Sequence, residues 1–176
     1  MTERLLTDGR VALRAPEPED LDVLFRVEND ESLWAVSCNA APYSKAQLEQ
    51  YIRESVHDLF AEHQLRFVIE CDGAVAGFMD LTDIDAIQAH AQVGVALLPE
   101  YRGRGVASAA LGLLCRYADR RLRLMQLVSY VPLCNEPSLH LFEKAGFERV
   151  GLLSEWMWSG ERFEDVILLQ KKLQKK

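Results

Sequence analysis

Long apolar runs are missing from this 176-residue sequence. No stretch approaches the ~20 consecutive apolar residues of a bilayer-crossing helix. Met1 to Arg10 alternates charged and apolar residues, so neither a membrane span nor a secretory leader is expected. Cysteine is sparse: Cys38, Cys71, Cys115 and Cys134 lie far apart and form no Cys-x-x-Cys pair. That spacing speaks against a disulfide framework or a metal site, and for buried free thiols in a reducing cytoplasm. Positive charge is short too, with 20 Lys and Arg against 27 Asp and Glu and a net charge of −7. A general nucleic-acid binder would need a basic surface. The acidic surplus suits a cationic partner such as an amine, although solubility alone accounts for it. Repeats, low-complexity stretches and linkers are absent, and 49% hydrophobic with 27% charged residues is ordinary for a globular chain. One domain spanning 1–176 is expected.

The pattern of elements is mixed. Val11 to Arg14 reads as a strand, and Pro16-Glu17-Pro18-Glu19-Asp20 opens a helix that Leu21, Leu24, Phe25 and Glu28 continue. Asn29 to Tyr43 reads as an irregular loop. Ser44-Lys45-Ala46-Gln47 forms a capping box, and Leu48, Tyr51, Ile52 and Val56 carry a second helix. Arg66 to Cys71 and Val75 to Leu81 are strands joined by a tight turn at Asp72-Gly73. Ala91 to Leu98 is a further strand, Gly103 to Leu122 a helix, and Gln126 to Val131 a strand. These three make a βαβ unit, which requires a parallel pair. Pro137 to Ala145 is a short helix closed by Gly146. Leu152 to Trp158 and Phe163 to Leu169 form a closing hairpin, and Lys171, Lys172, Lys175 and Lys176 read as a solvated tail.

The chemistry concentrates between Leu98 and Ala107. A strand ends, Gly103 and Gly105 alternate with Arg102 and Arg104 ahead of Val106 and Ala107, and a helix starts. The first turn of a helix presents unpaired N–H groups and the positive end of its dipole, and glycines let an anion approach them closely. A pyrophosphate fits such a site, with the arginines adding charge-assisted bonds. The loop lacks the Gly-Lys-Ser/Thr of a P-loop and the third glycine of a dinucleotide fingerprint. A purely structural glycine turn is the alternative.

Arg102-Gly103-Arg104-Gly105-Val106-Ala107 resembles the (Gln/Arg)-x-x-Gly-x-(Gly/Ala) signature of the GNAT superfamily of N-acetyltransferases. Asn135-Glu136-Pro137-Ser138-Leu139-His140-Leu141-Phe142-Glu143-Lys144-Ala145-Gly146-Phe147 resembles the second motif of that superfamily, in the right order and on the right elements. The likeness is nearest to the branch of spermidine and ribosomal-protein N-acetyltransferases, with Pro42-Tyr43 and Arg66 to Gly73 on the polyamine side.

The resemblance implies an α/β (α+β) fold: a central mixed, twisted sheet with a βαβ acetyl-CoA-binding unit and flanking helices. It implies acetyl transfer from acetyl-CoA to a primary amine by direct attack in a ternary complex, without metal, in the cytoplasm. The expected partner is a small amine rather than nucleic acid or membrane, and self-association into a homo-oligomer is compatible with it. Val95, Ala96 and Leu97 are expected to offer backbone groups to the pantetheine arm, and Arg102 to Ala107 to hold the pyrophosphate. Asn135, Ser138, Phe142 and Lys144 are expected along the coenzyme path, and splaying at Val95 and Tyr130 is expected to open the reactive slot. Phe142 departs from the superfamily, which often carries a tyrosine there to protonate the leaving thiolate; phenylalanine has no proton to give. Ser138, one helical turn earlier, and Tyr130 are the catalytic candidates; capping and strand packing are their alternatives. Asp83, Asp85 and His90 are candidate bases, or residues of a solvated loop. Glu28, Asp30, Glu31 and Trp34 suit an extended polyamine, or form an exposed acidic helix end. Trp156 and Trp158 share a face that packs the core or rims the acceptor site. Competing readings are a protein N-terminal acetyltransferase and a non-catalytic acyl-CoA-binding module.

Overall fold

The computed structural model describes residues 5–34, 41–54 and 63–173. In chain order its elements are β1 (Val11–Arg14), α1 (Leu21–Glu28), α2 (Glu31–Trp34), α3 (Lys45–Glu54), β2 (Leu65–Cys71), β3 (Ala74–Asp85), β4 (His90–Leu97), α4 (Val106–Arg120), β5 (Gln126–Pro132), α5 (Glu136–Lys144), β6 (Glu148–Trp158) and β7 (Phe163–Lys172). The strands form one seven-stranded sheet in the order β1-β2-β3-β4-β5-β7-β6. Among them only β4 and β5 run parallel. The expected α/β architecture with a βαβ unit is therefore the one observed.

Local chemistry explains most boundaries. The Gln47 N–H donates to Ser44 Oγ (3.2 Å) and the Ser44 N–H to Gln47 Oε1 (2.8 Å), which completes the capping box ahead of α3. Asp72 and Gly73 both adopt positive φ (53° and 80°), as the two-residue turn between β2 and β3 requires. Asn135 caps α5 by accepting the Ser138 N–H, and Gly146 ends it at φ 87°. Asn135, not Ser138, is therefore the cap of this helix.

Alternation along the strands divides the core between two sheet faces. Phe67 and Ile69 pack on the same side as α4 and α5, through Ala110, Leu111, Leu114, Leu139 and Phe142. Val68 and Phe78 face the opposite side, where α1 and α3 contribute Leu24, Val27, Leu48 and Ile52. Arg14 fastens that second layer: its guanidinium donates to both oxygens of Asp20 (2.7 and 2.8 Å) and to Glu70 (2.7 Å). Burial works against charge on Asp20. The Arg14 hydrogen bond and the Glu17 N–H outweigh it and hold the carboxyl below its ordinary value.

Several expectations need correction. The segment after α1 is not wholly irregular: Asp30 accepts the N–H and hydroxyl of Ser32 and starts the short α2. The helix after the glycine loop begins at Val106, because Gly103 and Gly105 sit at φ 69° and 77°, outside helical geometry. Strand β3 continues to Asp85, so Asp83 and Asp85 lie on a strand. Lys171 and Lys172 belong to β7, and Lys171 donates to the Ala145 carbonyl and covers the Phe147 ring. Cys71 and Cys115 are buried, but Cys134 is exposed. Cys38, Val56, Lys175 and Lys176 lie outside the described residues.

Candidate active site

Strands β4 and β5 pair at only three positions, His90↔Gln126, Ala91↔Leu127 and Gln92↔Val128. Beyond them each strand follows its outer neighbour, β4 along β3 as far as Leu97 and β5 along β7 as far as Pro132. The sheet therefore opens from Val93 and Ser129 onward, two residues ahead of Val95 and close to Tyr130. A cleft of about 700 Å³ occupies the gap. It is lined from both faces of the sheet: Ser138 and Phe142 of α5 on one side, Val27 and Glu28 of α1 with Arg66 and Phe78 on the other. A continuous channel from one face to the other exists because the ladder stops.

The exposed edge of β4 has a definite pattern. The Leu98 N–H donates to Ala76 of β3, so even-numbered residues turn their backbone toward β3. Val93, Val95 and Leu97 turn theirs toward the gap. Ser129 Oγ donates to the Val93 carbonyl (3.0 Å), and Arg102 Nε donates to the Leu97 carbonyl (3.0 Å). Val95 stands between these two side-chain contacts and lines the cleft. The Ala96 backbone faces β3 and cannot serve the gap. The N–H and C=O of Val95 suit an extended amide-bearing chain laid along the strand. Past Leu97 the glycine loop delivers Gly105, the N-cap of α4, whose first N–H groups point out of the helix. Arg104 reaches back to the Glu100 carbonyl (3.4 Å) and stacks on Tyr101.

The cleft wall on the α1 side is organised around Arg66, which sequence reasoning did not single out as a site residue. Its Nε and Nη2 meet the two oxygens of Asp80 (2.7 and 2.9 Å), and its Nη1 meets Glu28 (2.6 Å). The rings of Tyr51 and Phe78 lie within 5.6 and 5.9 Å of the guanidinium. Burial disfavours the charge on Arg66, but the adjacent Asp80 and Glu28 more than offset it and raise its pKa. Glu28 and Asp80 are only 12% and 24% exposed, so this is a partly desolvated cluster. Asp83 adds a third carboxylate to the cleft lining, at a break in β3–β4 register where its φ is 48°.

The predicted residues are thus sorted. Val95, Ala96, Tyr130, Asn135, Ser138, Phe142 and Glu28 line the cleft. Asp30, Glu31 and Trp34 do not: Asp30 is committed to Ser32, and the Trp34 indole N–H donates to the Glu28 carbonyl (3.1 Å). Of the candidate bases, Asp83 lines the cleft, whereas Asp85 accepts the N–H groups of Ile87 and Gln88 and His90 lies at the closed end of the ladder. Lys144 is exposed and outside the cleft lining; Arg102 to Ala107 also lie outside it, with Arg102 to Gly105 exposed and Val106 buried. Trp156 and Trp158 are both solvent-exposed, and Trp156 rims the cleft. No cluster of three or more metal-ligating side chains occurs among the described residues. No helix among them is long and apolar enough to cross a membrane.

A sheet that opens beside a glycine loop at a helix start, with an α5 motif on one face, defines an acyl-CoA-dependent transferase. The acetyltransferase (GNAT) domain family matches residues 10–148, and the chain belongs to that family. It is an N-acetyltransferase that uses acetyl-CoA. The spermidine N(1)-acetyltransferase of Escherichia coli K12 is 31% identical over 152 residues, covering 86% of this chain and 80% of the relative. The crystal structure of the Vibrio cholerae spermidine N-acetyltransferase in complex with CoA and spermine superposes with a TM-score of 0.85 at 26% identity, covering 94% of this chain and 97% of the other. A dodecameric structure of the Vibrio cholerae enzyme gives a TM-score of 0.80 at 27% identity, covering 94% and 95%.

Proposed function

We propose that the chain transfers the acetyl group to a primary amine of a small polycation, a polyamine, by direct attack in a ternary complex. The observation that carries this is the channel through the sheet, with the β4 edge on one side and a carboxylate-rich wall on the other. Among its lining residues Glu28, Asp80 and Asp83 face one cation, Arg66. The wall therefore keeps negative charge after internal pairing and attracts an ammonium-bearing acceptor. The 31% identical spermidine acetyltransferase and the spermine complex of the Vibrio enzyme support the same acceptor class. The dodecameric relative supports self-association of this chain.

In this reading Val95 binds the pantetheine arm, and the α4 start with Arg102 to Ala107 holds the pyrophosphate. Asp83 takes a proton from the incoming ammonium, directly or through water, because an amine must be neutral to attack. The amine nitrogen bonds to the thioester carbon, and the C–S bond then breaks. Phe142 supplies packing rather than a proton. Ser138 or Tyr130 gives a proton to the thiolate, a fair leaving group with a thiol pKa of about 8.5, and the surplus proton of the acylated nitrogen, shed through water, restores that hydroxyl. The test is thiol release from acetyl-CoA with spermidine, spermine, a simple monoamine and an N-terminal peptide. Saturable release with the polyamines and a much lower kcat/KM for the monoamine is expected. Preference for the peptide would replace the polyamine reading with the protein N-terminal one.

A further inference from the structure

Ser129 is nearly fully buried at 3% exposure, and so is Val93 at 2%. Its hydroxyl bond to the Val93 carbonyl stands where the next rung of the β4–β5 ladder would fall, one position past Gln92↔Val128. A side chain thus takes over from the backbone at the apex of the gap and holds the two strands together there. We propose that Ser129 sets the depth of the acyl slot and so limits the acyl chain length that the enzyme transfers. This rests on the reading of the gap as the acyl-CoA site.

An arm laid along β4 enters past the glycine loop at Leu97 and advances toward the apex. The Leu97 carbonyl accepts from Arg102 and the Val93 carbonyl from Ser129, so Val95 between them is the place where backbone pairing holds the arm. The acyl group beyond it meets the Ser129–Val93 contact. Acetyl has one carbon past its carbonyl, whereas propionyl and butyryl must push further toward that contact. Removing the hydroxyl leaves the Val93 carbonyl without its donor and moves the apex of the gap a residue deeper into the ladder. Ser129 is in this sense a positioning and specificity residue, not a catalytic one.

The experiment compares kcat/KM for acetyl-, propionyl- and butyryl-CoA with one saturating amine, in wild type, Ser129→Ala, Ser129→Thr and Ser129→Cys. A methylene is worth roughly 10- to 200-fold where a pocket discriminates against it, so Ser129→Ala should raise the propionyl-to-acetyl ratio about tenfold. Ser129→Thr keeps the hydroxyl and should keep the wild-type ratio. Ser129→Cys keeps the size with a weaker donor and should fall between, which preserves the test should the alanine variant fold poorly. A merely structural role would lower the melting temperature without moving this ratio. Equal ratios in wild type, Ala and Cys variants would overturn the proposal, as would an equal rise in the Ala and Thr variants. Absence of thiol release from every acyl-CoA in folded wild-type protein would instead overturn the site reading, and this inference with it.

Discussion

Gly77→Ala should damage the protein more than any other single methyl group added to a glycine of the sheet. Gly77 lies opposite Leu97, next to a register shift that separates Ile69↔Gly77 from Glu70↔Val75. A Cβ built there would stand 2.1 Å from the Ala96 carbonyl oxygen and 2.9 Å from the Leu97 Cα. Both obstacles are backbone, so no rotamer change relieves them. Strand β4 would have to retreat by roughly an ångström, and overpacking of this kind typically costs about 1–3 kcal/mol, with a value at or above the top of that range expected against rigid backbone. For a chain of this size about 3 kcal/mol corresponds to a fall in Tm of ~6–12 °C. The retreat falls on Ala96 and Leu97, and Leu97 together with Val95 turns its backbone to the slot. A displacement of about 1 Å in a positioning element costs on the order of 100-fold in rate. Thermal melts and acetyl-CoA kinetics on Gly77→Ala check both numbers. Gly94→Ala is the control: it adds its methyl to β4 itself, with Asp80 Cβ 4.0 Å away, an ordinary contact. If Gly77→Ala melted and turned over like Gly94→Ala, the close approach of β3 and β4 would have no energetic meaning.

Gly105→Val should lower acetyl-CoA affinity by at least about 100-fold in calorimetry with the fold retained, since no atom within 4 Å blocks the side chain but φ 77° and the anion approach both demand glycine. Phe142→Leu should cost roughly 1–2 kcal/mol through the lost edge contact with Phe147, whose ring centre is 5.0 Å away, while kcat stays within about threefold; Phe142→Tyr should keep or raise kcat. Arg14→Ala should destabilise by about 3 kcal/mol at pH 7 in urea melts, because buried Asp20 loses its counter-ion and keeps only the Glu17 N–H. The sign with pH follows from the depressed folded-state value of Asp20. Its contribution is fully present above the unfolded value of about 3.9 and is lost as pH falls through the folded one, so wild type and Arg14→Ala should converge in strong acid.

What could be read from the sequence was what short spacing encodes. The Ser44–Gln47 box, the Asp72-Gly73 turn and the glycine loop at the helix start each depend on residues within one turn of each other. The heart of the carboxylate-rich wall does not: Arg66 finds Glu28 and Asp80 across 38 and 14 residues, and only the folded sheet brings them together. Ser129 looked like an ordinary strand residue, because nothing local shows that β4 and β5 separate there. The acidic loop was misleading for the same reason. Glu28, Asp30 and Glu31 are neighbours in sequence, but the turn at Asp30 sends only Glu28 into the cleft. Lys171 reads as belonging to a basic tail until β7 carries it to the end of α5.

The short ladder between β4 and β5 also makes the sheet a body of two plates. Within the sheet, three backbone pairs, the Met125 and Gln126 N–H bonds to Ala89 and one serine join β1–β4 to β5–β7, while within each plate the antiparallel ladders are longer. Local opening is expected at this joint before either plate, because it has the fewest backbone bonds to break. An arm lying in the gap touches both plates at once and acts as a splint across the joint. Binding and stiffness are then one property: occupancy should slow amide exchange at Val93 and Ser129 more than in β2, deep inside the first plate.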